Sequence, residues 1–277
     1  MRAVAYQGIP GSFSHQAAGL YFGKDAELVS KSSFDDVFTL LDRGEADVGI
    51  LPVENSSVGM ISRVFDLLSQ YNLNIQGELY LEVKHNLLAP PGTQLKDIEE
   101  VYSHPQAIGQ CHNFLEEHTK WKVIPYFDTA KSAKWVKEQG LSKFAAIAST
   151  EAASLYGLDI IAENIQDNTL NYTRFIVIAM DPVIGDDCNK ISINISLSHT
   201  PGSLYKVVEQ FAKNNLNMLS IKSRPIVTKP FEYMFYIDFE GHIDDPNVKT
   251  AIEGIKDHCS NYKLLGNYKG SSFNRIL

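Results

Sequence analysis

The first part of the chain alternates short apolar runs with amphipathic segments, which is the pattern of repeated β-α units. In the first unit, an apolar run ends at a glycine, and helical spacing of apolar residues follows it. Apolar residues that recur at i, i+3, i+4 and i+7 give each helix one stripe to bury against a sheet. The third strand carries the run Val-Gly-Ile-Leu and is expected to be buried on both faces. The predicted strands are residues 2–7, 27–30 and 46–53, and the predicted helices are residues 13–22, 34–41 and 61–68.

Longer extended segments begin after the third unit. Segments at 75–83 and 85–88 are closed by a Pro-Pro-Gly breaker, and three further β-α units follow. A strand at 174–180, after a long polar loop, is expected to rejoin the first group of strands. Two α/β lobes joined by paired crossings leave a cleft, with hinges expected near residues 74–76 and 164–167. The helices of the three later units are predicted at 107–118, 130–140 and 150–156.

The pattern restarts after a segment at 181–189 that has the composition of a linker. Apolar and polar residues alternate strictly over 191–197, which is typical of a strand with one buried face. The segments that follow predict the order βαββαβ, a ferredoxin-like sheet with two helices on one face. The other face is expected to be uncovered, which favours pairing with another copy.

Composition narrows the classes of function. The chain has 277 residues, of which 44% are hydrophobic and 21% charged, and this globular usage excludes a disordered polyelectrolyte. With 25 Lys+Arg against 33 Asp+Glu, the formal charge of −8 argues against a nucleic acid or an anionic membrane as partner. No apolar run approaches the roughly 18–20 residues that span a bilayer. Three widely spaced cysteines and the lack of a signal-peptide core predict a cytoplasmic protein with reduced thiols.

Small and polar residues cluster at two strand-to-helix junctions of the first group. Gly8-Ile9-Pro10-Gly11-Ser12-Phe13-Ser14 presents backbone N–H groups and hydroxyls, so it is either a structural turn or a turn that binds a carboxylate. Pro52-Val53-Glu54-Asn55-Ser56-Ser57-Val58-Gly59 follows a buried strand, at the sheet edge where α/β proteins place ligands. A helix cap explains one polar residue of this run and not four, so the run favours a functional site.

Two more clusters lie further along the chain. Tyr102-Ser103-His104-Pro105-Gln106-Ala107 is another strand-to-helix junction. A metal site formed by His104, His112 and His118 is not favoured, because their spacing lacks the HExxH arrangement and an acidic ligand. The run Asn171-Tyr172-Thr173-Arg174-Phe175 combines a threonine hydroxyl, a planar arginine guanidinium and the aromatic ring of a phenylalanine. That set suits an anionic, ring-shaped ligand, and a strand start with a surface arginine is the alternative interpretation.

With these clusters in this order, the chain resembles the bacterial prephenate dehydratases that carry a C-terminal ACT regulatory domain. The resemblance rests on GxxGSFS at 8–14, LPVENSSxG at 51–59, SHPQA at 103–107 and NxTRF at 171–175, and it covers essentially the whole chain. It implies a two-lobed, periplasmic-binding-protein-like (type 2) α/β catalytic domain, followed by an α+β ferredoxin-like (βαββαβ) ACT domain. The implied catalytic domain is residues 1–181, with lobe one at about 1–75 and 165–181 and lobe two at about 76–164, and the implied ACT domain is residues 190–277.

The same resemblance implies conversion of prephenate to phenylpyruvate, water and carbon dioxide, with no cofactor and no metal. Aromatisation drives this reaction, so the protein has to hold two carboxylates and assist the departure of hydroxide. Thr173 is the implied donor to the leaving hydroxyl, polarised by Arg174 or by a neighbouring dipole, and Phe175 is the implied wall for the ring. The implied substrate-binding residues are Ser12, Phe13, Glu54, Asn55, Ser56, Ser103, His104 and Gln106, with Glu54 in an orienting role only.

For the C-terminal unit, the resemblance implies a phenylalanine effector site and feedback inhibition. The chain departs from the family motifs at Ser203 and Tyr205, which replace Ala and Val, and at Lys222, which replaces Glu. These departures leave open an ACT unit that serves only as a dimerisation sheet. The implied effector-binding residues are His199, Gly202, Ser203, Leu204, Asn217, Ser223, Arg224 and Pro225.

The expected partners are prephenate, L-phenylalanine as an allosteric effector, and further copies of the chain. A homodimer or homotetramer is expected to form through the ACT and catalytic domains. One alternative is an arogenate dehydratase, whose substrate has an amino group that needs an acidic or carbonyl partner. The other alternative is a non-catalytic amino-acid-sensing protein, and the intact run Thr173-Arg174-Phe175 argues against it.

Overall fold

The computed structural model describes residues 2–226 and 232–271, which form three sheets with covering helices. The strands are β1 (Arg2–Gln7), β2 (Ala26–Lys31), β3 (Val48–Asn55), β4 (Gly59–Met60), β5 (Asn74–Glu82), β6 (Asn86–Ala89), β7 (Glu100–Ser103), β8 (Lys122–Pro125), β9 (Phe144–Ala148), β10 (Asp159–Ala162), β11 (Tyr172–Ala179), β12 (Lys190–Ser196), β13 (Met218–Pro225), β14 (Tyr233–Glu240) and β15 (Asn261–Tyr268). The α-helices are α1 (Phe13–Phe22), α2 (Phe34–Asp42), α3 (Ser62–Gln70), α4 (Pro105–Gln110), α5 (His112–Glu116), α6 (Thr129–Gln139), α7 (Thr150–Tyr156), α8 (Ser203–Lys213) and α9 (Pro246–Lys256). The bounds of β1, α1 and α7 coincide with those predicted.

The strands form a six-stranded, a five-stranded and a four-stranded sheet. The first has the order β2-β1-β3-β11-β5, with β4 paired to β3 and β1 parallel to β2. The second has the order β10-β6-β9-β7-β8, in which β7 is parallel to both neighbours and β6 is antiparallel to both of its own. The third, β13-β14-β12-β15, is antiparallel throughout. The predicted mixed α/β fold is confirmed, and β11 joins the first sheet as expected.

The chain divides into two compact units, each built from several stretches. Unit 1 is Met1–Val37, Ile50–Met60 and Tyr80–Phe175, and unit 2 is Phe38–Gly49, Ile61–Leu79 and Ile176–Leu277. In unit 1, Leu87 of β6 packs in a core with α4 and α5, and Leu88 packs in a second core with α6 and α7. Because successive strand residues point to opposite faces, helices cover both faces of the five-stranded sheet.

Unit 2 corrects the prediction of an uncovered sheet face. Every residue of β12 is buried, although only Ile191, Ile193 and Ile195 belong to the core with α8 and α9. On the opposite face, Tyr236 OH donates to the Phe65 carbonyl of α3 at 2.6 Å, and the two rings lie 4.8 Å apart. The prediction was wrong because α3, far away in sequence, covers that face.

Charged contacts also hold α3 and β5 to the four-stranded sheet within unit 2. Lys190 Nζ lies 2.8 Å from Glu78 Oε2, with side chains 8% and 1% exposed. Arg224 makes a bidentate pair with Asp66, with N···O distances of 3.0 and 2.7 Å. Lys263 Nζ donates to two carbonyls at the end of α3, where a cation is favoured by the helix dipole. Polar contacts within the chain therefore help to cover this face.

One predicted helix is broken in two. The helix expected at 107–118 is α4 and α5, separated at Cys111, whose backbone has φ −117° and ψ 28°. Asp167 explains the break, because its N–H donates to the Gln110 carbonyl at 2.7 Å and its carboxylate accepts from the Asn113 N–H at 3.1 Å. Burial raises the pKa of the Cys111 thiol to about 12. Within the described residues, no helix is long and apolar enough to cross a membrane.

Candidate active site

The turn between β1 and α1 has a backbone that requires glycine. Gly8 and Gly11 have φ of 114° and 88°, in the left-handed region that residues with a Cβ rarely adopt. A Cβ on Gly8 would lie 2.7 Å from Ser12 Oγ. Ser12 Oγ in turn caps α1 by accepting from the His15 N–H at 3.2 Å. The glycines thus place the Ser12 hydroxyl at the start of the helix.

Helix α7 holds the same turn from the side of the five-stranded sheet. Ser149 Oγ donates to the Gly11 carbonyl at 3.1 Å, and Tyr156 OH donates to the Pro10 carbonyl at 2.5 Å. A Cβ on Gly11 would lie 3.2 Å from Ala152 Cα. The turn therefore connects the two α/β sheets within unit 1.

Asn55, the last residue of β3, is buried and has a fixed orientation. Its Oδ1 accepts from the N–H groups of Ser57 and Val58 at 3.0 and 3.1 Å. Its Nδ2 donates to Asn171 Oδ1 at 2.8 Å and to Thr173 Oγ1 at 3.0 Å. Because the two backbone amides need an acceptor, they decide which end of the Asn55 amide faces Thr173.

Thr173, on β11, is 8% exposed and accepts the hydrogen bond from Asn55. Its own hydroxyl hydrogen has no acceptor among residues 2–226 and 232–271, so it is available as a donor. Strand alternation puts Thr173 and Phe175 on one face of β11 and Arg174 on the other. The polar side chain that contacts the Thr173 hydroxyl is therefore the Asn55 amide.

Other predicted site residues make hydrogen bonds inside the protein. Ser56 Oγ donates to the Leu170 carbonyl at 3.0 Å and accepts from the Tyr172 N–H at 2.9 Å, which fastens the start of β11 to β3. Ser103 is fully buried, and its Oγ donates to the Ile147 carbonyl at 2.7 Å. These two hydroxyls hold backbone in place.

The remaining predicted residues contact their own segments or a neighbouring ring. His104 caps α4 by accepting from the Gln106 N–H at 3.2 Å, and the Gln106 side chain is exposed in the first turn of that helix. Phe13 is partly buried and meets the ring of His85 edge to face, with ring centres 5.7 Å apart. Glu54 is half-buried and pairs with the short strand β4, which the sequence analysis did not predict.

Two residues near Thr173 were missed. Gln110 Oε1 accepts from His85 Nε2 at 2.9 Å and from Asn171 Nδ2 at 3.1 Å. His85, Gln110, Asn171, Asn55 and Thr173 thus form one hydrogen-bonded series, which we call the amide series. A histidine between two apolar strands was the available signal, because a polar residue at such a position needs a partner.

The histidines considered as metal ligands have local partners. His112 Nε2 lies 3.2 Å from Glu116 Oε1 one turn along α5, and His118 Nδ1 lies 2.9 Å from the Phe114 carbonyl. In the described part of the chain, no three His, Cys, Asp or Glu residues group as metal ligands would.

The implied effector residues separate into three places in unit 2. His199, Ser203 and Leu204 line a cavity of about 380 Å³ with Leu197, Tyr233 and Phe235, and Gly202 caps α8 with φ 83°. Asn217 donates to Glu240 Oε2 at 3.1 Å and lines a different, more polar cavity. Arg224 is paired with Asp66, while Ser223 and Pro225 are exposed on β13.

Comparison with known proteins shows the family of the chain. The family model described as prephenate dehydratase matches residues 4–183. A curated relative from Arabidopsis thaliana, arogenate dehydratase/prephenate dehydratase 2, is 39% identical over 96% of this chain and 72% of its own length. The structure of prephenate dehydratase from Arthrobacter aurescens in complex with L-Phe has a TM-score of 0.88 and 29% identity, covering 96% of this chain and 89% of the other. A structure described as GqqA, a quorum-quenching acylase, has a TM-score of 0.90 and 29% identity, covering 99% of this chain and 100% of the other. From the match of motifs, fold and most of the chain, this protein belongs to the prephenate dehydratase family.

Proposed function

We propose that the chain converts prephenate to phenylpyruvate, carbon dioxide and water, with the Thr173 hydroxyl as donor to the leaving hydroxyl. The observation that supports this role is the hydrogen bond from Asn55 Nδ2 to Thr173 Oγ1. Since Thr173 Oγ1 is the acceptor in that bond, its own hydrogen points to a different group. The buried ring of Phe175, on the same face of β11, is the proposed wall for the substrate ring.

The reaction requires one proton and no change of oxidation state at the protein. The bond between the ring and its carboxylate breaks, and the electron pair enters the ring as carbon dioxide leaves. The C–O bond at the opposite ring carbon then breaks, and the departing oxygen takes a proton through Thr173, which solvent replenishes. A threonine hydroxyl is a weak acid, so the hydrogen bond donated by Asn55 stabilises charge that develops on Oγ1 in the transition state.

The two substrate carboxylates are proposed to lie near Ser12 and Gln106. Ser12 is at the start of α1, where backbone N–H groups favour an anion, and Gln106 has an exposed amide. Asn55, Ser56 and Ser103 make their hydrogen bonds within the protein, so they are proposed to position the site and not to bind carboxylates.

Phenylalanine is proposed as a feedback effector in the cavity lined by residues 197–204 and 232–235. The cavity is largely apolar and large enough for one amino acid, and the similar Arthrobacter structure is described in complex with L-Phe. We also propose a catalytic domain at residues 1–181 followed by an ACT domain at residues 190–277. The proposed assembly is a homodimer or homotetramer, and the proposed location is the cytoplasm.

Arogenate is the second candidate substrate. The observation that favours it is the name of the 39% identical Arabidopsis relative, which includes arogenate dehydratase as well as prephenate dehydratase. The chemistry at Thr173 is the same for both substrates, because they differ only in the side-chain keto or amino group. Acyl hydrolysis is not proposed, because no serine or cysteine in the described ranges is hydrogen-bonded to a histidine ring.

The test is product formation by purified protein in metal-free buffer, with prephenate or arogenate and with or without phenylalanine. We expect phenylpyruvate from prephenate and suppression of turnover by phenylalanine. Product from arogenate and none from prephenate would make arogenate the substrate in place of prephenate. Equal turnover with and without phenylalanine would contradict the effector proposal. No turnover on either substrate, by a protein that binds phenylalanine, would support an amino-acid sensor.

A further inference from the structure

His85 is a buried histidine that the proposed reaction does not use. It lies between β5 and β6, where the chain passes from the first sheet to the second, and it is 2% exposed. Its backbone is held on both sides, because its N–H donates to Gln166 Oε1 and its carbonyl accepts from the Ile165 N–H, each at 2.9 Å. The imidazole therefore has a fixed position beside Phe13.

The direction of every hydrogen bond in the amide series follows from Asn55. Since Asn55 Oδ1 accepts from two backbone amides, Asn55 Nδ2 is the donor to Asn171 Oδ1. Asn171 Nδ2 must then donate, so the Gln110 atom that it meets is the oxygen Oε1. The same oxygen faces His85, and it can only accept from the histidine ring. His85 Nε2 consequently carries the hydrogen, and Nδ1 carries none.

This arrangement leaves two buried atoms without a partner in the described residues, His85 Nδ1 and Gln110 Nε2. Buried unpaired polar atoms cost stability, and native proteins keep few of them. A leucine or phenylalanine in place of His85 would avoid one of these costs. The Nε2 hydrogen is used, and it points at the Gln110 oxygen that also accepts from Asn171.

We propose that His85 is a positioning residue for the dehydration, acting through Gln110 and Asn171 on the Asn55 amide that holds the Thr173 hydroxyl. The inference rests on the proposed function of Thr173. With the His85 donor removed, Gln110 Oε1 keeps only one donor, and the Gln110 amide is free to turn its Nε2 towards Asn171. Two N–H groups then face each other, Asn171 rotates, and Asn55 Nδ2 loses Asn171 Oδ1, its nearest acceptor, which leaves the Tyr172 carbonyl at 3.3 Å and Thr173 Oγ1 at 3.0 Å. Thr173 is no longer held in one orientation.

The test compares two replacements of His85. His85→Phe keeps a ring beside Phe13 and removes the donor, while His85→Gln places an amide N–H near the position of Nε2. We expect His85→Phe to lower kcat about 10- to 100-fold with KM within about threefold, because misplacing a catalytic group acts on the transition state. His85→Gln should recover most of that loss. His118→Phe, which removes a histidine hydrogen-bonded only to a local carbonyl, is the matched control and should retain kcat.

A double-mutant cycle tests whether His85 acts through Gln110. Gln110→Met should itself lower kcat. Adding His85→Phe to Gln110→Met should lower kcat by less than about a further twofold, since the effects of mutations within one network are not additive. Losses that multiply would overturn the proposal, as would equal kcat in wild type and His85→Phe. Should His85→Phe not fold, His85→Leu, which also lacks the donor, gives the same comparison in wild-type and Gln110→Met backgrounds.

The tautomer provides a readout without substrate. Nitrogen-15 NMR of the His85 ring should show the neutral form with hydrogen on Nε2, and hydrogen on Nδ1 would overturn the series. If the wild type turns over neither prephenate nor arogenate, the proposed function fails whatever the ring shows. If the wild type is active and His85→Phe equals it, the positioning role alone fails.

Discussion

Unit 1 and unit 2 each contain a buried polar cluster, and the two are built from different chemistry. The amide series of unit 1 consists of neutral groups, and burial lowers the pKa of His85, which keeps it neutral as well. The cluster of unit 2 is an ion pair, Lys190 with Glu78, at 2.8 Å. An amide has a donor end and an acceptor end, whereas an ammonium donates in three directions. The neutral cluster therefore fixes the orientation of its side chains, and the charged cluster attaches β5 to the four-stranded sheet.

This difference leads to different effects of mutation. Breaking a buried ion pair leaves a charge without compensation and destabilises the whole fold. Removing one member of a neutral series leaves a polar atom that adjacent amides can rotate to meet, so the expected loss is one of geometry and rate. The predictions below test this contrast between orientation in unit 1 and attachment in unit 2.

The largest effect is expected at the end of the amide series. Thr173→Val keeps the shape of the side chain and removes the donor to the leaving hydroxyl, so kcat should fall about 10²- to 10⁴-fold. Thr173→Ser should keep much of the activity, and Thr169→Val, in the exposed loop before β11, is the matched control. Steady-state assays with prephenate measure this, and near wild-type turnover by Thr173→Val would remove Thr173 from the mechanism.

The buried ion pair should show the next largest effect. Lys190→Met leaves the Glu78 carboxylate buried without its ammonium partner, and we expect a loss of about 3–5 kcal/mol in the free energy of unfolding. Adding Glu78→Leu should restore a large part of that loss, because both charges are then gone. Urea unfolding measures both variants, with exposed Lys206→Met as control. Equal stability of Lys190→Met and wild type would contradict an attachment role.

A smaller effect is expected for the partly exposed pair of Arg224 and Asp66, whose side chains are 24% and 23% exposed. Arg224→Met should lower the free energy of unfolding by about 1–2 kcal/mol, and about 1 M NaCl should reduce the difference from wild type. Arg43→Met, at a looser and more exposed pair, should change stability by less. A salt-independent loss would show that packing of the arginine stem, and not its charge, matters.

The smallest effect concerns pH. Burial lowers the pKa of His85 below its ordinary 6.5, so between these two values the unfolded chain binds a proton that the folded chain does not. Stability should therefore fall as pH drops through this window, by at most about 1.4 kcal/mol per pH unit for one group. Urea unfolding of wild type and His85→Gln between about pH 7 and pH 5 measures the difference. Identical pH slopes would mean that His85 is protonated normally in the folded state.

Local patterns in the sequence predicted most elements, because the apolar spacing of β1, α1 and α7 depends on residues within each segment. The break at Cys111 was missed, since it depends on Asp167, which is far along the chain. Thr173 was found through a motif, but its partner could not be assigned, because Asn55 lies 118 positions away. The proposed role of His85 was missed for the same reason, because it depends on the hydrogen bond to Gln110, and the chemistry of a single residue does not reveal a series.

The contacts of α7 with the turn before α1 have a consequence for redesign. Both acceptors, the carbonyls of Pro10 and Gly11, belong to the main chain, so no substitution in the turn can delete them. The donors are side chains of Ser149 and Tyr156, and each can be removed by a single exchange. The strength of this connection can therefore be changed at Ser149 and Tyr156 while the sequence of the turn is kept.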